Sequence, residues 1–348
     1  MTTTVPSTLP STLQAAVAGE ALIDLIRRPD GSYLPCLGGA LYNLCRALAR
    51  QGVGTQYLNP LSRDRFGREL AAQLASDGVH LAHPEPLQQV TSLAVVNLNA
   101  HGHPDYAFYR DGVADRAVTA QGLTDACAAL PALQLVCTGA LALDARDTAI
   151  YLPWLAAQRS AGRCVVVDAN LRPSVMPDLA AYRTTVHAAL DHAHIIKASD
   201  EDLDHLAVPG NDAVARARHL LASHPQAHLL ALTLGAEGAW LLHRNGAQCF
   251  AKEAQPLPVV DTVGAGDSFL AGLLAHLLRQ AQAPMQVVGA HGFAAFVEAL
   301  PAQACAQALG HALASASLCV QAQGCVPPDW ESTVEWAREH PAVGEGHR

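Results

Sequence analysis

Two rhythms of apolar residues run along the chain. Short, densely apolar stretches bounded by glycine, proline or polar residues read as buried strands, and longer stretches with an apolar residue every third or fourth position read as helices packed against them. The first apolar run, Ala15 to Ile26, is broken only by Gly19, Glu20 and Asp24 and predicts one strand. A polar turn at Pro29, Asp30 and Gly31 leads into a short strand over Tyr33–Cys36, and Gly38 and Gly39 then open a helix that runs to Arg50. Gly54 to Asn59 predicts the next strand and Arg65 to Ala75 a helix. Thr91–Asn99 and Tyr106–Tyr109 are β-prone runs joined by turn residues from Ala100 to Asp105, the pattern of a hairpin.

From Gln134 onward strand and helix alternate. A strand through Gly139 is followed by a helix over Ala145 to Ala161, a strand ending at Asp168, another over His194 to Ala198, and a last pair around Leu229–Leu234 and the AWLL run that follows. Leu257 to Val263, β-branched and proline-bearing, leads into Gly264-Ala265-Gly266 and an apolar-periodic helix over Phe269 to Leu278. Gln280 to Cys305, rich in Ala, Gln and Pro, predicts a helical excursion on the surface. Ala306 to Gln321 predicts a final core helix with Gly324 at its C-cap.

This alternation predicts an α/β fold with helices packed on a sheet, and a composition that is 50% hydrophobic but only 5% aromatic agrees with it. The 348 residues fit one large domain with a small appendage. Residues 1–14, with no Lys or Arg and no apolar centre, predict a disordered tail rather than a secretory signal. With 22 basic against 31 acidic residues and no basic stripe, nucleic acid is not an expected partner. Nor is a membrane, because no apolar run approaches the roughly 20 residues of a spanning helix, and a cytoplasmic protein is the expectation. Nine cysteines without a CxxC predict reduced core thiols, and 17 histidines without an HExxH predict no structural metal.

The candidate chemistry lies where strands end or helices begin. Glycine at 264 and 266 lets the main chain approach a ligand, and the unpaired N–H groups of the helix that starts there would cradle an anion. Asp267 sets a carboxylate at the mouth of that cradle, suited to taking a proton from an attacking hydroxyl; a helix-capping acid is the plainer alternative. Carboxylates have no packing reason to interrupt a buried strand, so Asp24 is a candidate grip for substrate hydroxyls at a strand end. Asn43, after the diglycine of Gly38 and Gly39, offers both a donor and an acceptor. There is no GxxxxGK[ST] and no GxGxxG.

The stretch Asp261–Leu274, DTVGAGDSFLAGLL, closely resembles the C-terminal signature of the ribokinase-like, or PfkB, sugar kinase family. The resemblance extends over about residues 15–326 and implies a three-layer α/β/α fold with a mainly parallel central sheet. It also implies a small β lid with strands near 33–36 and 91–110, and leaves 327–348 as a C-terminal extension. By resemblance Gly264, Ala265 and Gly266 form the anion hole and Asp267 is the catalytic base, while Asp24, Gly38, Gly39 and Asn43 match the sugar-binding pattern. Phe108 to Arg116 is similar to the fructokinase branch, which implies sugar contacts from Tyr109 and Arg110; pairing of Arg110 with an acid is the other reading. Asp168 to Ser174 resembles a D-x-N-x-R-P-S pattern, implying that Asn170 and Arg172 face phosphate or sugar, unless Pro173 marks an ordinary turn.

Ser199 and Asp202 stand where the family has an N-x-x-E motif tied to magnesium and phosphate, although a serine N-cap explains them as well. Thr233, Gly235 and Gly238 match a turn beside the nucleotide, or a plain hairpin turn. The resemblance therefore implies an ATP-dependent sugar kinase with Mg²⁺ and a candidate monovalent cation. In the fructokinase branch it would convert D-fructose and ATP to fructose 6-phosphate and ADP. The alternatives are another sugar of the family, notably 2-keto-3-deoxygluconate held by Arg110 and Arg172, and a catalytically silent sugar-binding relative. A homodimer is the assembly the resemblance allows.

Overall fold

The computed structural model describes residues 13–98, 104–282, 292–344 and 346–347. β1 (Ala15–Val17) is fully buried, and its side chains alternate between the two faces of a sheet: Ala15 and Val17 join one apolar cluster and Ala16 another. The chain then bends at Gly19 and Glu20 into β2 (Leu22–Arg27), which pairs with the antiparallel β3 (Tyr33–Gly38). α1 (Ala40–Arg50), β4 (Thr55–Tyr57), α2 (Arg65–Ser76) and β5 (His80–Leu81) follow, and the expected hairpin forms from β6 (Ser92–Leu98) and β7 (Pro104–Tyr109).

After α3 (Ala120–Ala128) the chain alternates through β8 (Leu135–Gly139), α4 (Thr148–Ser160), β9 (Cys164–Asp168), α5 (Leu179–Leu190) and β10 (Ile195–Ser199). Then come α6 (Asp200–His205), α7 (Ala213–Ser223), β11 (Leu229–Thr233), β12 (Ala239–His243) and β13 (Gln248–Ala251). The last part is helical, with α8 (Ala265–Ala281), α9 (Gly292–Glu298), α10 (Ala302–Cys319) and α11 (Trp330–Glu339), before β14 (Gly346–His347).

Among the described residues these strands form two sheets. The large one has the order β14-β13-β12-β11-β10-β9-β8-β1-β4-β5; it is parallel from β11 to β5 and antiparallel beyond β11. Separate apolar clusters on its two faces make it the middle of three layers, as expected. The small sheet, β3-β2-β6-β7, is the expected lid.

One correction concerns the first apolar run. Ala15 to Ile26 is two strands in two sheets, because Gly19 (φ 157°) turns the backbone and Glu20 faces the helix that follows. Asp24 therefore belongs to the lid and not to the end of a central strand.

Other boundaries also shift. The expected tail through residue 14 ends earlier: Leu13 is buried and Gln14 donates to the Gly54 carbonyl, so only residues 1–12 of it lie outside the described residues. The tip of the hairpin, with His101 and His103, also lies outside them, as do residues 283–291 of the Gln280–Cys305 stretch. The rest of that stretch is not a surface excursion, since Phe293, Val297 and Cys305 join the core. α10 ends at Val320 rather than at Gly324, which instead donates its N–H to the Asp261 carboxylate at 2.9 Å. The C-terminal extension is integral to the fold: the Trp330 ring packs against His311, with ring centroids 4.2 Å apart, and the Arg279 guanidinium lies over it. Gln51, the C-cap of α1, donates to the Pro328 carbonyl.

α8 is apolar nearly all round because it is enclosed, with twelve of its seventeen residues buried between the sheet, α1 and α10. Gly272 makes the approach of α10 possible, as a Cβ there would stand 2.8 Å from that of Ser315. Ser315 in turn donates to the Ser268 carbonyl at 2.9 Å, so α10 braces the first turn of α8.

Candidate active site

The parallel strands β8 to β11 end in register. Gly139 pairs with Asp168, Asp168 with Lys197, and Ser199 with Thr233, so these residues line the carboxyl edge of the sheet side by side. α8 starts over this edge. Gly264 caps it in the left-handed region (φ 79°), and a Cβ there would lie 2.2 Å from the Cys325 sulfur, so glycine meets both a conformational and a steric demand. The preceding loop is not a strand. It is tied to the end of α10 by N–H groups of Val260 and Asp261 donating to the Val320 carbonyl, and Asp261 accepts from the Val263 and Gly324 N–H groups.

The residues expected to form an anion cradle, Gly264, Ala265 and Gly266, stand at the start of α8. The N–H groups of Gly264, Gly266 and Asp267 have no partner among the described residues, whereas that of Ala265 turns inward and donates to the Thr262 carbonyl at 3.2 Å. Three free donors at the start of a seventeen-residue helix suit an anion.

Beside the cradle is a charge that sequence reasoning missed. Lys197, inside the apolar strand β10, is 4% exposed, and its ammonium lies 3.0 Å from the Asp168 carboxylate and 3.1 Å from where a Gly266 Cβ would be. Burial works against its charge, but Asp168, Asp202 and Asp267 outweigh burial and hold its pKa above the ordinary lysine value. A lysine interrupting an otherwise apolar strand was the available signal.

A cavity of about 310 Å³ opens from the cradle. Asp267 lies at its edge, 7% exposed, with Oδ2 accepting from the Asn43 side-chain amide at 3.1 Å and Oδ1 accepting from no group among the described residues. Burial raises its pKa above the ordinary carboxylate value, opposed by Lys197, the Asn43 bond and Arg172. Across the cavity stands Asp24, pushed by burial to about 6 against the pull of Arg172. Gly38 leaves room for it, because a Cβ there would stand 2.2 Å from Asp24 Oδ2 and displace the carboxylate. Gly39 (φ 108°) caps α1 close against the Glu20 carbonyl, and Glu20 Oε1 accepts from the Ala40 N–H at 2.8 Å. Glu20 lines the same cavity; burial lifts its pKa to about 7.

Asn170 (φ 36°) and Arg172 also line the cavity, on a loop held from behind. Asp202 holds it: Oδ1 accepts from the Leu171 N–H at 2.7 Å and Oδ2 from the Ser199 N–H at 2.8 Å, while the Ser199 hydroxyl caps α6. Both oxygens of Asp202 thus accept from backbone N–H groups, and with the Ser199 hydroxyl it forms a capping box.

The expected sugar contacts from β7 are corrected as well. Tyr109 points to solvent, 61% exposed, and Arg110 is buried behind the cavity, where it donates to the Leu141 carbonyl at 3.1 Å and pairs with Asp115 at 3.5 Å. Strand alternation places their neighbour Phe108 in the cavity wall instead. Thr233, Gly235 and Gly238 form the turn between β11 and β12, beside Ser199 on the sheet edge but outside this cavity; Gly238 (φ 99°) has no room for a Cβ, which would lie 2.4 Å from the Ala251 carbonyl oxygen.

The described residues include no group of three His, Cys, Asp or Glu arranged for a metal, and no helix among them is long and apolar enough to cross a membrane. A magnesium ion carried on nucleotide phosphates needs no such cage, since Mg²⁺ keeps several waters and commonly takes its remaining ligands from phosphate oxygens.

The arrangement can hold a phosphoryl group on backbone donors and a lysine, next to a buried carboxylate that faces an acid-lined, sugar-sized cavity. Residues 13–332 match the family model of pfkB family carbohydrate kinases. A fructokinase from Rhizobium leguminosarum bv. trifolii is 33% identical over 263 residues, 74% of this chain and 78% of that protein. Among solved structures, fructokinase with bound ATP from Xylella fastidiosa superposes with a TM-score of 0.79 at 26% identity, covering 94% of this chain and 99% of that one. Aminoimidazole riboside kinase from Salmonella enterica, complexed with aminoimidazole riboside and an ATP analog, gives 0.74 at 25% identity, with 93% and 99% covered.

Proposed function

The chain belongs to the pfkB family of carbohydrate kinases, and from that premise we propose that it is a fructokinase, transferring the γ-phosphoryl group of ATP to D-fructose to give fructose 6-phosphate. The observation that carries the reading is the meeting, in one cavity, of the Asp267 carboxylate, the free N–H groups at the start of α8 and the Asp24 carboxylate opposite. Asp24 accepts hydrogen bonds from sugar hydroxyls and sets the sugar with its reactive hydroxyl toward Asp267. Asp267 takes that hydroxyl's proton through Oδ1 as the oxygen attacks the γ-phosphorus and the bond from that phosphorus to the bridging oxygen breaks, releasing ADP. The N–H groups of Gly264 and Gly266, with the Lys197 ammonium, stabilise the charge on the transferring group. ATP would lie along the sheet edge beside Ser199 and Thr233, and Mg²⁺, if carried on its phosphates, would supply charge neutralisation there.

A neutral ketose suits the cavity better than a sugar acid. Glu20, Asp24 and Asp267 line it with Lys197 and Arg172, Lys197 is paired with Asp168, Arg172 donates to the Leu171 carbonyl at 3.0 Å, and Arg110, the second guanidinium a carboxylate would use, is paired with Asp115 behind the wall. The test is coupled ADP release with ATP and Mg²⁺ over fructose, 2-keto-3-deoxygluconate, aminoimidazole riboside and other sugars. The expected result is the highest kcat/KM for fructose. A clear preference for the acid or the riboside overturns the fructokinase assignment, and inertness toward every sugar overturns the kinase reading.

A further inference from the structure

Asn43 sits in a pattern suited to a sugar contact, yet its amide is committed elsewhere. Its Nδ2 donates to Asp267 Oδ2 at 3.1 Å, across the gap between α1 and α8, while its Oδ1 is enclosed and has no hydrogen-bond partner among the described residues. Asn43 is 4% exposed and Asp267 7%. We propose that Asn43 is a positioning residue for the base: its amide fixes the Asp267 carboxylate so that Oδ1 alone faces the sugar hydroxyl.

Three observations support this role. A carboxylate is planar, so a donor fixed on one oxygen sets the direction of the other, and a buried carboxylate without that donor is free to turn or to hold a proton. The donor is itself anchored, because the start of α1 is clamped by the Glu20 side chain on the Ala40 N–H and by the Glu20 carbonyl accepting from the Tyr42 N–H at 3.3 Å. The other charged or titratable groups around Asp267 are Lys197 of β10, Asp168 of β9, Arg172 of the following loop, and Cys319 and Cys325 at the end of α10. Lys197 and Arg172 act through charge, and Asn43 is the side chain that hydrogen-bonds Asp267 among the described residues. Burial raises the Asp267 pKa and the Asn43 bond lowers it, so losing the bond moves it upward.

The inference rests on Asp267 being the kinase's base, so one of its tests is independent of turnover. In Asn43→Ala the acid limb of kcat against pH should move up by about one to two pH units, the effect of losing a hydrogen bond to a charged group. Asn43→Asp should move it further, because two adjoining carboxylates resist ionising together. Carboxyl ¹³C NMR of the substrate-free protein, with the Asp267 signal identified by its loss in Asp267→Asn, should show the same upward order. If Asn43→Ala does not fold, Asn43→Ser, too short to reach Asp267, serves in both measurements. A limb and a titration that stay in place while sugar KM alone rises would overturn the proposal and leave Asn43 as a plain sugar contact. A wild-type chain inert to every sugar would sink the kinase reading, and the NMR titration would still decide whether Asn43 controls Asp267.

Discussion

At the carboxyl edge of the large sheet, Lys197 and Asp168 are shut off from water and paired with each other, and the cradle above them is tied to α10 through Asp261, Val320 and Ser315. On the small sheet, Asp24 sits among strands whose outer ends stand in solvent, with Ile26, Tyr33 and Tyr109 all exposed. Both regions deliver a carboxylate to one cavity, but they hold it differently. The cradle side is fixed by packing and hydrogen bonds, which suits groups that must oppose developing charge without rearranging. The lid side is a four-stranded sheet that lends Asp24 and Phe108 to the cavity wall, an arrangement suited to closure over a substrate and exclusion of water. Changes on the cradle side should therefore act on kcat and changes on the lid side on sugar KM.

The sharpest way to break that division is Asp267→Asn. The amide keeps the shape and removes the base, so kcat should fall by about 10² to 10⁴ with both KM values nearly unchanged. Steady-state kinetics near the wild-type rate would remove Asp267 from catalysis. Gly264→Ala should come next, lowering kcat on the order of 10², because a left-handed residue acquires a Cβ that collides with Cys325 and displaces the cradle; a loss confined to sugar KM would contradict the division.

On the lid side, Asp24→Ala should raise sugar KM by roughly ten- to a hundredfold, the range for hydrogen bonds to a charged group, and spare the KM for ATP. The same residue supplies a test by pH. Its pKa in the sugar-free protein is about 6, the ionised form is the acceptor, and so sugar KM should rise as pH falls through about 6. A sugar KM that is flat across that window would show that the Asp24 charge does not hold the sugar. The smallest effect is expected from Tyr109→Ala, within about 0.5 kcal/mol in stability and with sugar KM unchanged, because the ring points into solvent; a large rise in KM would place Tyr109 in the site after all.

The sequence by itself determined the parts whose chemistry is local. Gly264 to Asp267 could be read as a helix-start cradle because backbone freedom, free N–H groups and an adjacent acid are set by neighbours in the chain. The alternating strands and helices from residue 134 onward were likewise legible from periodicity alone. Tertiary structure decided what depends on distant partners. A bend at Gly19 and Glu20 divides one apolar run between two sheets, since both halves are equally apolar and only their pairing differs.

Side-chain direction on β7 decided that Phe108 faces the cavity, Tyr109 the solvent and Arg110 the buried Asp115. Parallel register brought Lys197 beside Asp168 and under Gly266, and helix packing joined Asn43 to Asp267 across 224 positions of sequence. Burial and charge pairing arise from residues far apart in the chain, and the folded sheet alone brings them within bonding distance.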